Sequence, residues 1–361
     1  MVWSKRTIGN GSAVRTIVAM LLVVGIGDAK ADFVVGEAVN LGPTVNSGAT
    51  DWSPSISSDG LQLYFESDRA DGLGREDLWV STRAATEDDW GVPVNLGQTV
   101  NSGTGDWGPS ISGNGLELYF SSSRDGGSGG HDLWVSRRAT TGESWGAPVN
   151  LGSTVNSSSD DIYPCISFDG LALYFNCSRD WRLYVTRRAT TDAPWTAPVA
   201  IPGYMIWPGI SADGRVLLFG NDASGGYGSH DLWARTGVAA EDDWGVPVDL
   251  GPTVNAGSWD CEPTLSHDGR TLYFNSNRGG GTGGFDTWQA SISPVVDFNG
   301  DGALDTADLD ILIDFWGTDG PLCDIGPMPW GDGVVDIEDL IVLVEHMVEA
   351  RADADDISNT E

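Results

Sequence analysis

Five near-copies of one segment recur along this chain, and a repeat of that kind admits few folds. The aligned blocks read PSISSDGLQLYFESDR, PSISGNGLELYFSSSR, PCISFDGLALYFNCSR, PGISADGRVLLFGNDA and PTLSHDGRTLYFNSNR. Their turn residues Asp59, Asn114, Asp169, Asp213 and Asp268 are spaced 55, 55, 44 and 55 residues apart. Self-similarity at such a period signals stacked supersecondary units, each too small to bury its own apolar face. Four of the copies continue into a DLW-type segment, at Asp77-Leu78-Trp79, Asp132-Leu133-Trp134, Asp231-Leu232-Trp233 and Asp286-Thr287-Trp288. A W-x-x-PVNLG-type tract then follows at Trp90–Gly97, Trp145–Gly152 and Trp244–Gly251.

Within one unit the pattern predicts four short antiparallel strands. PSIS and LQLYF are apolar runs split by Ser58-Asp59-Gly60, where glycine supplies the positive φ of a tight turn. DLWVSTR alternates and becomes the third strand, and GVPVNLG becomes the fourth. Four strands per repeat with no helical periodicity between them predict a β-propeller blade. The short interval comes from two losses, the Gly-rich loop between Arg179 and Leu183 and the VNLG-x-TVN tract near Tyr204, both in loops that tolerate deletion. A spare fourth strand, Val35–Gly42, precedes the first copy, and the last copy lacks one after Trp288-Gln289-Ala290. Pairing the two closes the ring and removes its sheet edges. Five motifs therefore predict five blades over residues 32–293.

The run LYFxSxRxGGxGGxDLWxSxR in copies one, two and five resembles the TolB-like, WD-repeat-like (PD-type) propeller repeat of bacterial envelope and secreted proteins. The resemblance covers about residues 33–293 and implies the fold, while that repeat serves scaffolds and accessory domains alike. The fourth copy departs from it, with Ala223 where the others carry arginine.

A second pattern lies at the C-terminus. Asp297, Asn299, Asp301, Asp305 and Asp308 hold positions one, three, five, nine and twelve of an EF-hand-type loop, with Gly302 at six and the Ala303 carbonyl at seven. Hard oxygen ligands at this spacing point to calcium. An apolar helical face follows (Leu309, Ile311, Leu312, Ile313, Phe315), and then a second half in which Asp332, Val334, Asp336 and Asp339 are the candidate ligands. Met328 and Trp330 stand where that loop should begin, so a bulged loop recruiting Asp324 is the alternative. With Asp rather than Glu at position twelve, the pair resembles a type I dockerin, a small all-α domain of paired EF-hand-like loop-helix units, over residues 294–350. That resemblance implies calcium as the cofactor and a cohesin-like protein or cell-surface component as partner. The partner would be read by Thr306-Ala307 and Ile337-Glu338, two pairs unlike each other. Residues 351–361 are expected to form a disordered acidic tail.

Compartment follows from the N-terminus, where Lys5, Arg6 and Arg15 precede an apolar stretch from Ile17 to Ile26 and Ala29-Lys30-Ala31 offers a cleavage site. Residues 1–31 read as a secretory signal peptide, which places the chain outside the cell or on its surface. No later run is apolar enough to span a bilayer. The formal charge is −33, and all basic residues beyond Lys30 are arginine. Such acidity argues against nucleic acid and anionic membranes, and a monomer is expected. Four cysteines permit three pairings. Cys165 is expected to face Tyr174 across its hairpin rather than Cys177, and the four are left unpaired.

Candidate site residues cluster where loops meet the central channel. Asp51, Asp106, Asp161 and Asp260 each stand three residues before the strand-one proline, with Trp52 and Trp107 beside two of them, and are the candidate ligand-binding set, including for polysaccharide. Arg69, Arg124, Arg179 and Arg278 and the aspartates Asp77, Asp132, Asp231 and Asp286 recur symmetrically, which favours loop bracing over function. His131 and His230 are expected to be exposed loop residues. Catalysis needs an asymmetric acid and base. Glu66 stands where other copies have Ser, Asn or Gly, and Glu262 where others have Ser, Gly, Tyr or Trp; with Asp260 they form the alternative, enzymatic set. G-x-S-x-G and H-E-x-x-H are absent. The favoured expectation is a non-catalytic secreted binding propeller, with a five-bladed carbohydrate-active enzyme as the alternative.

Overall fold

The computed structural model describes residues 33–222, 226–238, 243–299, 303–318, 323–326, 331 and 334–358. The signal segment, Ala223, Asp301, Gly302, Met328, Trp330 and Asp332 lie outside the described residues.

Five antiparallel sheets follow one another along the chain, one for each repeat. Blade one is built from Asp51–Ile56, Gln62–Ser67, Asp77–Thr82 and Val94–Asn95, paired in that order. Blades two, three and four repeat the order from Asp106, Asp161 and Ile206. In the four blades that carry the aspartate, the first strand starts at it rather than after it. Blade five consists of Asp260–Leu265, Thr271–Ser276 and Asp286–Pro294. Its fourth strand comes from the N-terminus: β2 (Val39–Asn40) pairs with Gln289 and Trp288. A further strand, β1 (Phe33–Val35), pairs with Ile292–Pro294. The all-β, five-bladed ring and its closure thus stand as expected.

The LYF run explains why the second strand forms and where the core sits. Leu63 and Phe65 point into the cluster shared with blade five, which contains Tyr273, while Tyr64 points into the cluster shared with blade two. Both faces of the strand are buried because each sheet is sandwiched between its neighbours, and Leu63, Tyr64 and Phe65 are at most 1 % exposed. At about 25 cal/mol per Å² of apolar surface, this repeated inter-blade burial is the main source of stability. Asn46, Asn101, Asn156 and Asn255 stitch the loops to it; Asn101 accepts from the Leu78 N–H (2.9 Å) and donates to the Leu78 carbonyl (3.0 Å).

Beyond Pro294, α1 (Thr306–Asp314) and α2 (Ile337–Ser358) pack Leu312, Val342 and Leu343 around Phe298, Cys323, Ile325 and Val335. The second helix takes in residues 351–358 of the segment expected to be a disordered acidic tail. The four cysteines are unpaired, and Cys165 faces Tyr174 across the hairpin. No helix among the described residues is long and apolar enough to cross a membrane.

Candidate functional site

The first strand of every blade carries the same irregularity. Its register slips around the proline, as between Trp52 and Ser55, Ile206 and Gly209 or Cys261 and Thr264. The residue at the slip, before the constant proline, is Ser53, Gly108, Tyr163, Trp207 or Glu262, all with φ between 54° and 60°. Four of the five are not glycine, and a side chain held there costs on the order of 1–3 kcal/mol. These five bulges ring the axis and, with the prolines, line a cavity of about 40 Å³. That volume admits a few ordered waters and no sugar ring.

Side chains on the second strand of one blade hold the bulge of the next. The Ser53 N–H donates to Asn275 Oδ1 (2.7 Å), and the Trp207 N–H to Asn176 Oδ1 (2.9 Å). Their amide nitrogens donate in turn to the carbonyls of Asp51 and Met205. At the equivalent place between blades one and two sits Glu66, whose Oε2 accepts the Gly108 N–H at 2.5 Å.

Glu66 and Glu262 meet through Ser53. The Ser53 N–H also donates to Glu262 Oε2 (2.7 Å), and its Oγ lies 3.4 Å from Glu66 Oε2. The two carboxyls are 6 % and 5 % exposed, and Glu262 Oε1 has no described partner. Burial raises the pKa of Glu66 well above the usual carboxylate range, and the charge of Glu262 raises it further. Burial likewise raises Glu262, against the lowering effect of the Ser53 N–H. The structure thus brings together two of the three residues of the enzymatic set.

Asp260 takes a different part. It is fully buried and ion-paired to Arg278, as Asp51 is to Arg69 and Asp106 to Arg124 (2.6 Å). The remaining oxygen of Asp51 and Asp106 accepts loop N–H groups from Ser47 and Ser102. Asp161 lacks the arginine, since Arg179 lies over Tyr184 instead, and burial raises its pKa. These aspartates therefore lie beneath the face, holding loops. The DLW aspartates do likewise, Asp77 accepting from Leu73 and Gly74 and Asp132 from Ser128 and Gly129.

What does reach the mouth is aromatic. Trp52 contacts Phe285 (4.8 Å between centroids), and Phe285, Trp259, His230, Trp207 and Tyr163 continue the arc at 4.5–6.1 Å. Trp107 stacks on His131 at 3.8 Å. Both histidines are therefore half-buried in stacks rather than exposed, and burial lowers their pKa. Nε1 of Trp52, Nδ1 of His230 and Oγ of Ser258 are buried and have no described partner. Trp259 and Phe285 carry no sequence signal of their own; His230 and Phe285 share the position before the DLW-type aspartate and converge with Trp259 only through the ring.

In the tail the two halves repeat one hydrogen-bond pattern. Asp308 accepts from Phe298 (2.8 Å) and Asp305 (2.9 Å), and Asp339 from Ile325 (2.5 Å), Gly326 (2.7 Å) and Asp336 (2.6 Å). Asp305 caps α1 through the Ala307 N–H, and Asp336 accepts from the Glu338 N–H. Thr306-Ala307 and Ile337-Glu338 open the two helices. Asp308 and Asp339 are fully buried with no described cationic partner, and burial pushes Asp339 up to about 6. Among the described residues no three acidic, histidine or cysteine side chains converge as a metal cage; Asp301 and Asp332 lie outside them.

No family model matches the chain, and no curated protein matches it. Its fold is similar to that of an α-L-arabinofuranosidase from Podospora anserina solved with cellotriose: 12 % identity, TM-score 0.50, covering 72 % of this chain and 97 % of that one. TolB from Acinetobacter baumannii matches at 14 % identity and TM-score 0.43, over 74 % of this chain and 65 % of that one. A thermostable family-43 glycoside hydrolase matches at 13 % identity and TM-score 0.48, over 70 % and 91 %. At these identities the likeness is one of fold alone.

Proposed function

We propose that this chain is a secreted, non-catalytic binding propeller whose channel-mouth face takes polysaccharide and whose dockerin-like tail tethers it through calcium to a cohesin-like or cell-surface partner. The observation that carries the binding reading is the aromatic arc from Trp52 through Phe285, Trp259, His230 and Trp207 to Tyr163. Aromatic ring faces suit sugar rings, whose C–H surfaces pack against them. In the tail, Asp308 and Asp339 suit a hard cation, because each is buried without a cationic partner. Asp297, Asn299, Asp305 and Asp308 with Asp301 would hold the first ion, and Asp336 and Asp339 with Asp332 a second, the Ala303 and Val334 carbonyls adding to each. Calcium there would neutralise carboxylates crowded into short loops.

An enzymatic reading rests on Glu66 and Glu262, two buried carboxyls of raised pKa joined by one serine. The cavity that Glu262 lines is too small for a substrate ring, which disfavours catalysis there. Incubating the secreted chain with plant and algal polysaccharides decides between the readings. Binding without turnover, lost on Trp207→Ala or Trp259→Ala, supports the proposal. Glycan cleavage abolished by Glu66→Gln or Glu262→Gln refutes it.

A further inference from the structure

On the face opposite the mouth, the third strand of three blades ends in an arginine set in one geometry. Arg83, Arg138 and Arg188 lie over Trp90, Trp145 and Trp195 at 4.3, 4.2 and 4.5 Å. The Nε–H of each donates to the turn carbonyl of Gly60, Gly115 or Gly170 at 2.6–2.8 Å. That leaves a terminal nitrogen aimed at the preceding blade. For Arg138 it meets Gln62 Oε1 (3.1 Å), and for Arg188 it meets Glu117 Oε2 (2.6 Å). A tyrosine hydroxyl completes each seat, Tyr64 donating to Gln62 and Tyr119 to Glu117, both at 2.9 Å. Arginine, tyrosine and acceptor form one inter-blade triad.

Two junctions lack both acceptor and arginine, setting Ala172 before Gly237 and Val216 before Ile292. The junction that closes the ring keeps two parts of it. Arg83 is in place and bonded to Tyr273, but the acceptor position holds Thr271, which has no amide or carboxylate to offer. At this junction a cavity of about 420 Å³ opens, lined by Arg83, Thr271 and Tyr273. Its volume falls in the range of small-molecule sites. A guanidinium fixed by a stack and a carbonyl therefore faces an empty acceptor seat.

We propose that this closure pocket binds a neutral saccharide of one or two rings, one of whose oxygens takes the acceptor place on Arg83. Charge decides against an acid. Glu117, the one carboxylate in such a seat, has two arginines, Arg137 and Arg188, while Gln62 has one arginine and is neutral. The closure pocket supplies one arginine, Arg83, beside His267, and Glu37, Asp59 and Asp268 also line it. Asp59 and Asp268 commit Oδ1 to their own turns, which leaves the other oxygen of each for a ligand hydroxyl. A polyol that accepts at one end and donates at the other fits; an added carboxylate meets repulsion.

The substitution Thr271→Gln tests this, because it rebuilds the seat as blade one has it with Gln62. Calorimetric titration of the secreted chain would use glucose, galactose, xylose, arabinose and their disaccharides, with glucuronate and galacturonate as the charged arm. We expect a neutral sugar to bind at millimolar affinity or better, the uronates more weakly, and Thr271→Gln to weaken binding at least tenfold while raising the melting temperature. Arg83→Ala should also lose binding. The proposal fails if no neutral sugar binds, if a uronate binds more tightly, or if Thr271→Gln binds as well as the parent. The mouth lies on the other face, so polysaccharide capture there is untouched by Thr271→Gln and the two readings stand or fall separately.

Discussion

Replacing Glu262 by glutamine should stabilise the propeller at mildly alkaline pH and leave it nearly unchanged in acid. The side chain is buried, and its pKa rises from 4.5 to about 7. Below about pH 4 both folded and unfolded chains carry it protonated, and its ionisation has no effect on stability. Between pH 4.5 and about 7 the unfolded chain releases the proton while the folded chain holds it, so stability falls as pH rises. Above about 7 both are ionised and the loss levels off. At 1.36 kcal/mol per pH unit the shift corresponds to about 3 kcal/mol. Glutamine cannot ionise, keeps an oxygen for the Ser53 N–H, and relieves Glu66 of a neighbouring charge. Urea unfolding followed by tryptophan fluorescence across this pH range gives the difference directly. A gain of roughly 1–3 kcal/mol at about pH 8 that fades towards acid is expected. An equal change at every pH, or a loss at pH 8, would refute the assignment of a buried, charge-strained pair.

Three further outcomes follow from the same geometry. Chelation of calcium should melt the helical signal of the tail while the propeller keeps its β signal, and Asp308→Ala should do the same with calcium present; circular dichroism of the full chain reads both. Asn101→Ala removes three bonds that pin the buried loop after blade one to that blade and should cost roughly 2–4 kcal/mol by chemical denaturation. Asp106→Asn leaves Arg124 without its carboxylate and should cost about 3 kcal/mol or more in the same assay, an effect that salt does little to mask.

Much of the ring was legible because a repeat states its pattern five times. The LYF run, the Asp-Gly turns and the spare strand before the first copy gave blades, hairpins and closure. The aspartates were placed too near the surface. Asp51, Asp106 and Asp260 each stand 18 residues before the arginine they pair with, Arg69, Arg124 and Arg278, although Asp161 and Arg179 share the interval without pairing. The bulge was hidden by its own residues: Ser, Tyr, Trp and Glu do not advertise a positive φ, and only Gly108 and the constant proline hint at it. Glu66 and Glu262 stood out for breaking the symmetry, and Ser53 joins them although neither is near the other in sequence. The aromatic arc was only partly legible: Trp52 stood among the candidates, but the other members come from three further repeat positions and meet only when the ring is closed.

Closure by the N-terminal strands also sets the order in which the molecule can be made. The Asn46 side chain bonds the Thr287 carbonyl 241 residues away, so the first blade waits for almost the whole propeller before its outer neighbour exists. Joining ends that far apart costs about 5 kcal/mol of chain entropy, returned only when the latch engages. Until then Val45, Leu63 and Phe65 face solvent in place of Tyr273. A chain synthesised from its N-terminus therefore carries its stickiest surface longest. For this protein the moment of greatest hazard comes at the end of propeller synthesis, just before residues 286–294 arrive to receive β2 and β1.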